Sequence, residues 1–291
     1  MQWARLGLVQ QPVRVAMPEG QGPLVRYGSL NTMERDGRKM MTAINRPCCI
    51  DISHGNDVSD DPTSLAGLDR VKAQGVFALI HKATESTGFQ DQRYAARRAK
   101  WMSGGNVTLI DVDGSSISVP PRFGAYHFFH GQDPVAEARY FLSHAALEDG
   151  DMPFIDWEAV GASGYQPSIQ AADAFCTEVE QALGRPCGVY GGNVPREQFS
   201  DPVTHGTVAF VGFQARPLWF CAYGGVRLLE MLPAPWTSVF LWQDDGDQYG
   251  PGPHVMPGIS GYCDNSTIVN GTFLSLNGDW LRLATPATPT V

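Results

Sequence analysis

The chain has 291 residues, with 43% hydrophobic and 18% charged residues and a formal net charge of −9. That is an ordinary balance for a globular protein able to bury a core, and the length suits one α/β barrel of about 200–250 residues plus an appendage. The acidic excess has no basic stripe, which argues against nucleic acid as a partner, and no run of about 18 apolar residues offers a membrane-inserting helix.

Residues 1–46 differ in character from the rest of the chain: they hold Gly-Gln-Gly-Pro, scattered charges and only short apolar runs. They read as an N-terminal extension, with a floppy or extended lead-in segment and a docking arm for a larger assembly as the two alternatives. The opening Met-Gln-Trp-Ala-Arg-Leu lacks the apolar core of a signal peptide. From residue 47 to about 280, apolar runs alternate with amphipathic stretches, and 281–291 read as a tail. Cys48–Ile52 is the first expected strand, followed by a helix over Ser64–Gln74, a strand over Val76–Lys82 and a helix over Arg93–Met102. Val107–Pro121 reads as a hairpin insertion turned at Asp113-Gly114. After the strand Phe123–Phe129, a helix is capped by Asp133 with Pro134 at its first position, and it carries Val135, Ala138, Phe141, Leu142 and Ala145 on one face. The strand Pro153–Trp157 leads to the clearest helix, capped by Ser168, striped by Ala172, Phe175, Cys176, Val179 and Leu183, and closed at Gly184. Strands at Gly188–Tyr190, Leu218–Ala222, Val239–Trp242 and Tyr262–Asp264 come next, joined by shorter segments rich in Pro and Gly without a long helix.

Nearly continuous apolar strands imply cover on both faces, and the alternation predicts a closed parallel barrel. An open doubly wound sheet fits the same alternation, but no glycine fingerprint comes after the first strand. The six cysteines, at 48, 49, 176, 187, 221 and 263, contain no CxxC pair and are expected as buried free thiols. Cys48 and Cys49 are adjacent, point to opposite faces and should not bridge each other.

The apolar runs repeatedly end in chemically capable residues: Asp51-Ile52-Ser53-His54, His81-Lys82-Ala83-Thr84-Glu85, Tyr126-His127, Asp156-Trp157-Glu158, Gln243-Asp244-Asp245 and Asp264-Asn265. In parallel barrels the active site forms at the carboxyl ends of the strands. Within Asp156-Trp157-Glu158, period-two alternation puts both acids on one face, about 6.5–7 Å apart at Cα, and sends Trp157 to the other. Two carboxylates so placed at an apolar mouth cannot both ionise freely, so one becomes a proton donor while its neighbour stays anionic, the division that glycoside cleavage needs. A solvated or salt-bridged strand end is the alternative. Lys82 and Glu85 form a plain ion pair, or Lys82 orients a carboxylate. A metal site from Asp51, His54 and His127 stands as a minor alternative, whereas His127 and His130 face opposite sides. No Gly-x-Ser-x-Gly elbow is present.

The motifs Ile-Asp-Ile-Ser-His (50–54), Ile-His-Lys-Ala-Thr-Glu (80–85), Gly-Ala-Tyr-His-Phe (124–128), Asp-Trp-Glu (156–158), Gly-Val-Tyr-Gly (188–191), Leu-Trp-Phe-Cys-Ala-Tyr (218–223), Leu-Trp-Gln (241–243) and Pro-Gly-Ile-Ser-Gly-Tyr-Cys-Asp (257–264), in that order, resemble glycoside hydrolase family 25, the Chalaropsis-type lysozymes of fungi, bacteria and phage. The resemblance covers residues 47–275. It implies a single modified TIM-type (β/α) barrel of five βα units plus three further strands, and hydrolysis of the β-1,4 bond between N-acetylmuramic acid and N-acetylglucosamine in peptidoglycan. Glu158 matches the family's general acid. Asp156 matches its partner, which supports the substrate's N-acetyl group or an attacking water. Asp51 and Asp264 match further cleft acids, and Tyr126 a cleft tyrosine. Lys82, Tyr190, Tyr223, Gln243 and Trp157, in the matched motifs, are expected to contact substrate. No metal and no cofactor is implied. Ser86 stands where Gly is usual, Asp244 where an aromatic is common, and Asp264-Asn265-Ser266 replaces the closing Asp-Leu-Asn. A chitin-type glycosidase and a non-catalytic glycan-binding or structural virion component are the alternatives on the same barrel. Delivery to the cell wall is expected through a holin-type pore, or on a phage tail or baseplate docked by residues 1–46.

Overall fold

The computed structural model describes residues 33–35, 38–40, 48–58, 66–110, 115–200, 209–223, 232–246, 249–250, 254–268 and 273–286. Most of the N-terminal extension, the expected helix start at Ser64, the Asp113-Gly114 turn and the end of the tail lie outside them. Within the extension, β1 (Met33–Arg35) and β2 (Arg38–Met40) pair as an antiparallel hairpin.

The barrel strands are β3 (Cys49–Ile52), β4 (Ala78–Glu85), β8 (Arg122–Phe128), β9 (Asp151–Asp156), β10 (Gly188–Gly191), β11 (Leu218–Cys221), β12 (Leu241–Asp245) and β13 (Asp264–Thr267). Their order is β3-β13-β12-β11-β10-β9-β8-β4, and β3 pairs with β4 to close the circle. Seven strands run parallel; β13 is antiparallel to both β12 and β3. The fold is thus the modified barrel expected, closed rather than doubly wound, with one reversed strand. A short β5 (Phe89–Gln90) folds back onto β4. The helices α1 (Gly67–Ala73), α2 (Tyr94–Ser103), α3 (Pro134–Ala145) and α4 (Ile169–Leu183) fill the early crossovers, and α5 (Asn193–Ser200) and α6 (Ala209–Gln214) are short, as the Pro- and Gly-rich linkers imply.

Local chemistry fixes the helix ends. The Ser168 hydroxyl accepts from Ala171 N at 3.2 Å and Gly184 takes φ 65° at the far end of α4. Asp133 accepts from Ala136 N at 3.1 Å ahead of Pro134 in α3. Each such cap contributes about 1 kcal/mol.

Two apolar layers result. One joins the outward strand faces to the helices and includes Leu79, Phe123, Ile155, Trp157 and Phe220 with Phe141, Phe175 and Val179. The other fills the barrel, with Trp219 and Tyr190 among its residues, and its amino-terminal end, where Phe77, Phe154 and Phe240 meet Trp280 of α7 (Phe273–Ala284). Each fully buried side chain of this size contributes about 1.5–3 kcal/mol. The expected insertion is an antiparallel hairpin of β6 (Val107–Ile110) and β7 (Ser116–Val119). Its Val107, Leu109 and Val119 bury against Cys48, Phe77 and Ala78 at the strand starts, so it caps the amino-terminal end of the barrel. The six cysteines are free and all but Cys221 are buried.

Strand bounds shift where polarity misled the reading. β13 runs from Asp264 to Thr267 instead of ending at Asp264, because its Asp-Asn-Ser-Thr has no apolar residue to signal a strand. Asn265, Ser266 and Thr267 are nonetheless buried, and they find polar partners inside: Trp219 Nε1 donates to Ser266 Oγ at 2.9 Å and Asn265 Nδ2 to the Cys263 carbonyl at 2.9 Å. β12 likewise begins at Leu241 and runs on to Asp245.

Candidate active site

The reversed strand sets the geometry of the mouth. Asp51 lies near the end of β3, Asp156 ends β9, and Asp264 begins β13, which runs the other way. A strand start on an antiparallel neighbour lies at the same end as the carboxyl termini of the parallel strands, so Asp264 stands directly across from Asp51.

Asp156 is 7% exposed, and among the described residues its Oδ1 is a buried oxygen with no hydrogen-bond partner. Burial, and then the neighbouring Glu158 carboxylate, push its pKa well above the usual carboxylate range, while Lys82 pulls the other way. Glu158, two residues on and partly exposed, is also raised, by burial and by the charge of Asp264. The Tyr126 phenol is raised by burial and by the charges of Asp156, Asp51 and Asp264 together. Tyr126 thus lies within the field of Asp51, Asp156 and Asp264, and Asp156 within that of Glu158, with Asp51, Asp156 and Asp264 all at the carboxyl end of the parallel strands.

Gln243 of β12 ties one wall together. Its Nε2 donates to Asp51 Oδ2 at 2.9 Å, and its Oε1 accepts from Tyr190 OH at 2.7 Å and Tyr223 OH at 3.1 Å. Neither an amide nor a neutral phenol takes up a proton near neutral pH, so this wall orients Asp51 without competing for protons. On the opposite wall, Lys82 Nζ donates to Glu85 Oε2 at 2.5 Å and lies 5.0 Å from the centre of the Phe128 ring and 5.3 Å from that of Phe89. Glu85 also pairs with His130 Nε2 at 3.2 Å. Lys82 is therefore both an ion-pair partner and a cation whose field reaches Asp156.

Trp157 corrects the expectation of substrate contact. It is fully buried, its indole N–H donates to the Pro167 carbonyl at 2.8 Å, and its ring stacks on Phe213 with centroids 5.8 Å apart. Trp157, just past the end of β9, packs into the layer between strands and helices. The metal alternative does not assemble either. His54 lies 3.5 Å from Asp91, while the buried His127 is engaged by Thr84 Oγ1 at 2.8 Å and Glu137 Oε2 at 3.0 Å. Among the described residues no group of three His, Cys, Asp or Glu side chains is set to hold a metal ion.

One contributor escapes any periodicity. A Cβ on Gly246 would lie 2.3 Å from Tyr223 OH and 3.1 Å from Asp264 Oδ1, so only glycine lets β12 leave the pocket at this point. Its signal in the sequence is no more than a glycine three residues past Gln243.

The arrangement suits acid-assisted cleavage: a raised carboxyl that holds a proton, a second buried carboxyl beside it, and two further acids to stabilise positive charge. The sequence model described as "Glycosyl hydrolases family 25" matches residues 114–252, a span that includes Tyr126, Asp156, Glu158 and Gln243. Comparison with curated proteins gives no match. Among solved structures, the bacterial lysozyme from Streptomyces coelicolor is similar at 21% identity and TM-score 0.59, over 81% of this chain and 97% of its own. Muramidase from Acremonium alcalophilum is similar at 22% identity and TM-score 0.57, over 82% and 100%. A family GH25 lysozyme from Aspergillus fumigatus is similar at 22% and 0.56, over 81% and 97%. At these identities the structural likeness is one of fold.

Proposed function

We propose that this chain, whose residues 114–252 match the model of glycosyl hydrolases family 25, is a peptidoglycan hydrolase of the muramidase type, cleaving the β-1,4 bond between N-acetylmuramic acid and N-acetylglucosamine. This reading is supported by the acids gathered at one end of the barrel: Asp156 at the end of β9 with a buried Oδ1 that has no partner among the described residues, Glu158 two residues on, and Asp264 across from Asp51 in the strand register. Glu158 is the more exposed of the two and is assigned the general acid, delivering its proton to the leaving glycosidic oxygen. Asp156, whose Oδ1 has no protein partner among the described residues, faces the substrate's N-acetyl group or an incoming water. Asp51 and Asp264 stabilise the positive charge that develops at the anomeric carbon. Lys82, Tyr126, Tyr190, Tyr223 and Gln243 shape the walls that hold the sugar.

The test is mass analysis of fragments released from purified peptidoglycan. N-acetylmuramic acid at the new reducing end is the expected result. N-acetylglucosamine there, or preferential cleavage of chitin oligomers, would make this a different glycosidase. Glycan binding with no release of reducing ends would make the barrel a binding component.

No helix among the described residues is long and apolar enough to cross a membrane. Residues 1–46 are proposed as an arm that docks the enzyme onto a phage tail or baseplate, with release through a holin-type pore as the alternative. Deleting 1–46 should abolish particle association and spare hydrolysis; unchanged incorporation would remove the docking role.

A further inference from the structure

Two exposed tyrosines stand beside the acids in an arrangement that the hydrolytic step does not use. Tyr223 is 42% exposed and Tyr249 57% exposed, and their rings lie nearly parallel, at 15°, with centroids 6.2 Å apart. Tyr223 is continuous with the catalytic pocket through its bond to Gln243, the residue that also holds Asp51.

Tyr249 is fixed in place by backbone. Gly246 N donates to the Tyr249 carbonyl at 3.0 Å and Tyr249 N donates to the Gly246 carbonyl at 2.8 Å, clasping the turn. Gly250, next in the chain, adopts φ 104°, and a Cβ there would meet the Asp244 carbonyl oxygen at 2.3 Å, so glycine at 250 lets the backbone after Tyr249 run close against β12. The two rings, both exposed and stacked side by side next to the acids, form a small aromatic surface at the mouth.

We propose that Tyr249, set over Tyr223 by the Gly246–Tyr249 turn, forms an aromatic subsite for a sugar ring of the glycan strand beyond the bond that is cut. Pyranose rings expose an apolar C–H face that packs on an aromatic face while their hydroxyls stay in water. The stepped tyrosine pair offers such a face and hydroxyl partners at its edges. The acid-rich surroundings, with Asp244, Asp245 and Asp264 on the adjoining strands, favour an uncharged sugar over an acidic peptide. This inference rests on the glycosidase reading and adds to it a preference for longer glycans.

The test uses the full chain carrying Glu158→Gln, so that ligands are bound and not cut, titrated with a disaccharide and an octasaccharide prepared from peptidoglycan strands. The octasaccharide should bind more tightly, and adding Tyr249→Ala should shrink that advantage about three- to tenfold, whereas Tyr249→Phe should keep it. An advantage unchanged by Tyr249→Ala overturns the subsite while leaving the hydrolase standing. Failure of the Glu158→Gln protein to bind either glycan, together with failure of the native chain to release fragments, overturns both.

Discussion

Asp264 stands opposite Asp51 in the antiparallel register of β13 against β3, an acid across from an acid on neighbouring strands. Like charges directly opposed in a sheet are destabilising, so the pair costs stability where a neutral partner would not. The charge of Asp264 also reaches Glu158 and helps keep it protonated. Asp264→Asn keeps the shape and removes that charge. Glu158 should then ionise more readily, and the alkaline limb of the kcat/KM profile, which reports the acid of the free enzyme, should move to lower pH. Thermal unfolding at neutral pH should show a gain of about 0.5–2 kcal/mol, the usual exchange of stability against function at an active site. An alkaline limb that stays in place would disconnect Asp264 from the acid.

Gln243 joins Asp51, Tyr190 and Tyr223 through one amide. Gln243→Leu fills the same space and leaves Asp51 Oδ2 and the buried Tyr190 hydroxyl without that partner. Loss of stability of about 1–3 kcal/mol is expected from urea denaturation. Turnover should fall about ten- to a hundredfold as Asp51 loses its orientation. Native-like turnover in a destabilised variant would confine Gln243 to a structural role.

Period-two alternation after the apolar Met152–Ile155 run suggested that Asp156 and Glu158 share a face, but β9 ends at Asp156 and Glu158 lies two residues beyond it, so strand periodicity does not itself place the second acid. Trp157, also past the end of β9, is buried against Phe213, contrary to the motif-based expectation that the indole meets substrate. β13 was half legible. Asp264 signalled itself as an acid near a strand, but Asn265, Ser266 and Thr267 carry no apolar pattern, and they meet partners such as Trp219 and Asp245 that lie on other strands, distant in sequence. Its reversed direction is a matter of which strands it bridges, and no local feature encodes that. Tyr249 was illegible for a different reason: its position is set by a clasped turn between two glycines, where side-chain periodicity does not operate.

Asp244 predicts a pH dependence of stability. Burial, reinforced by the adjacent Asp245, raises its carboxyl from 3.8 to about 7. A folded-state pKa above the unfolded one means that the native protein binds more protons than the unfolded chain between about pH 4 and pH 7, so this residue's contribution to stability falls as pH rises through that window. Asp244→Asn removes the ionisation. Its melting temperature should match the native chain's near pH 4 and exceed it at pH 7 and above, by an amount equivalent to about 1–3 kcal/mol. A constant difference across the range would show that Asp244 does not titrate in this window.

Trp157 separates packing from catalysis. It lies between the two central acids in sequence, its backbone N–H donates to the Tyr190 carbonyl at 3.0 Å, and its indole N–H holds the Pro167 carbonyl at 2.8 Å. The ring also meets Phe199 edge-on with centroids 6.1 Å apart, so it pins the end of β9 to the layer formed by α5 and α6. Trp157→Ala should cost about 3–5 kcal/mol, enough to threaten folding, so Trp157→Phe is the informative change. Phenylalanine keeps most of the apolar contact and strips the Pro167 carbonyl of its donor, at about 1–3 kcal/mol. A looser strand end lets both acids drift, which should lower kcat, while KM stays near the native value because the ring never touches the glycan. A raised KM at unchanged unfolding midpoint would reverse that assignment and bring the indole into the cleft.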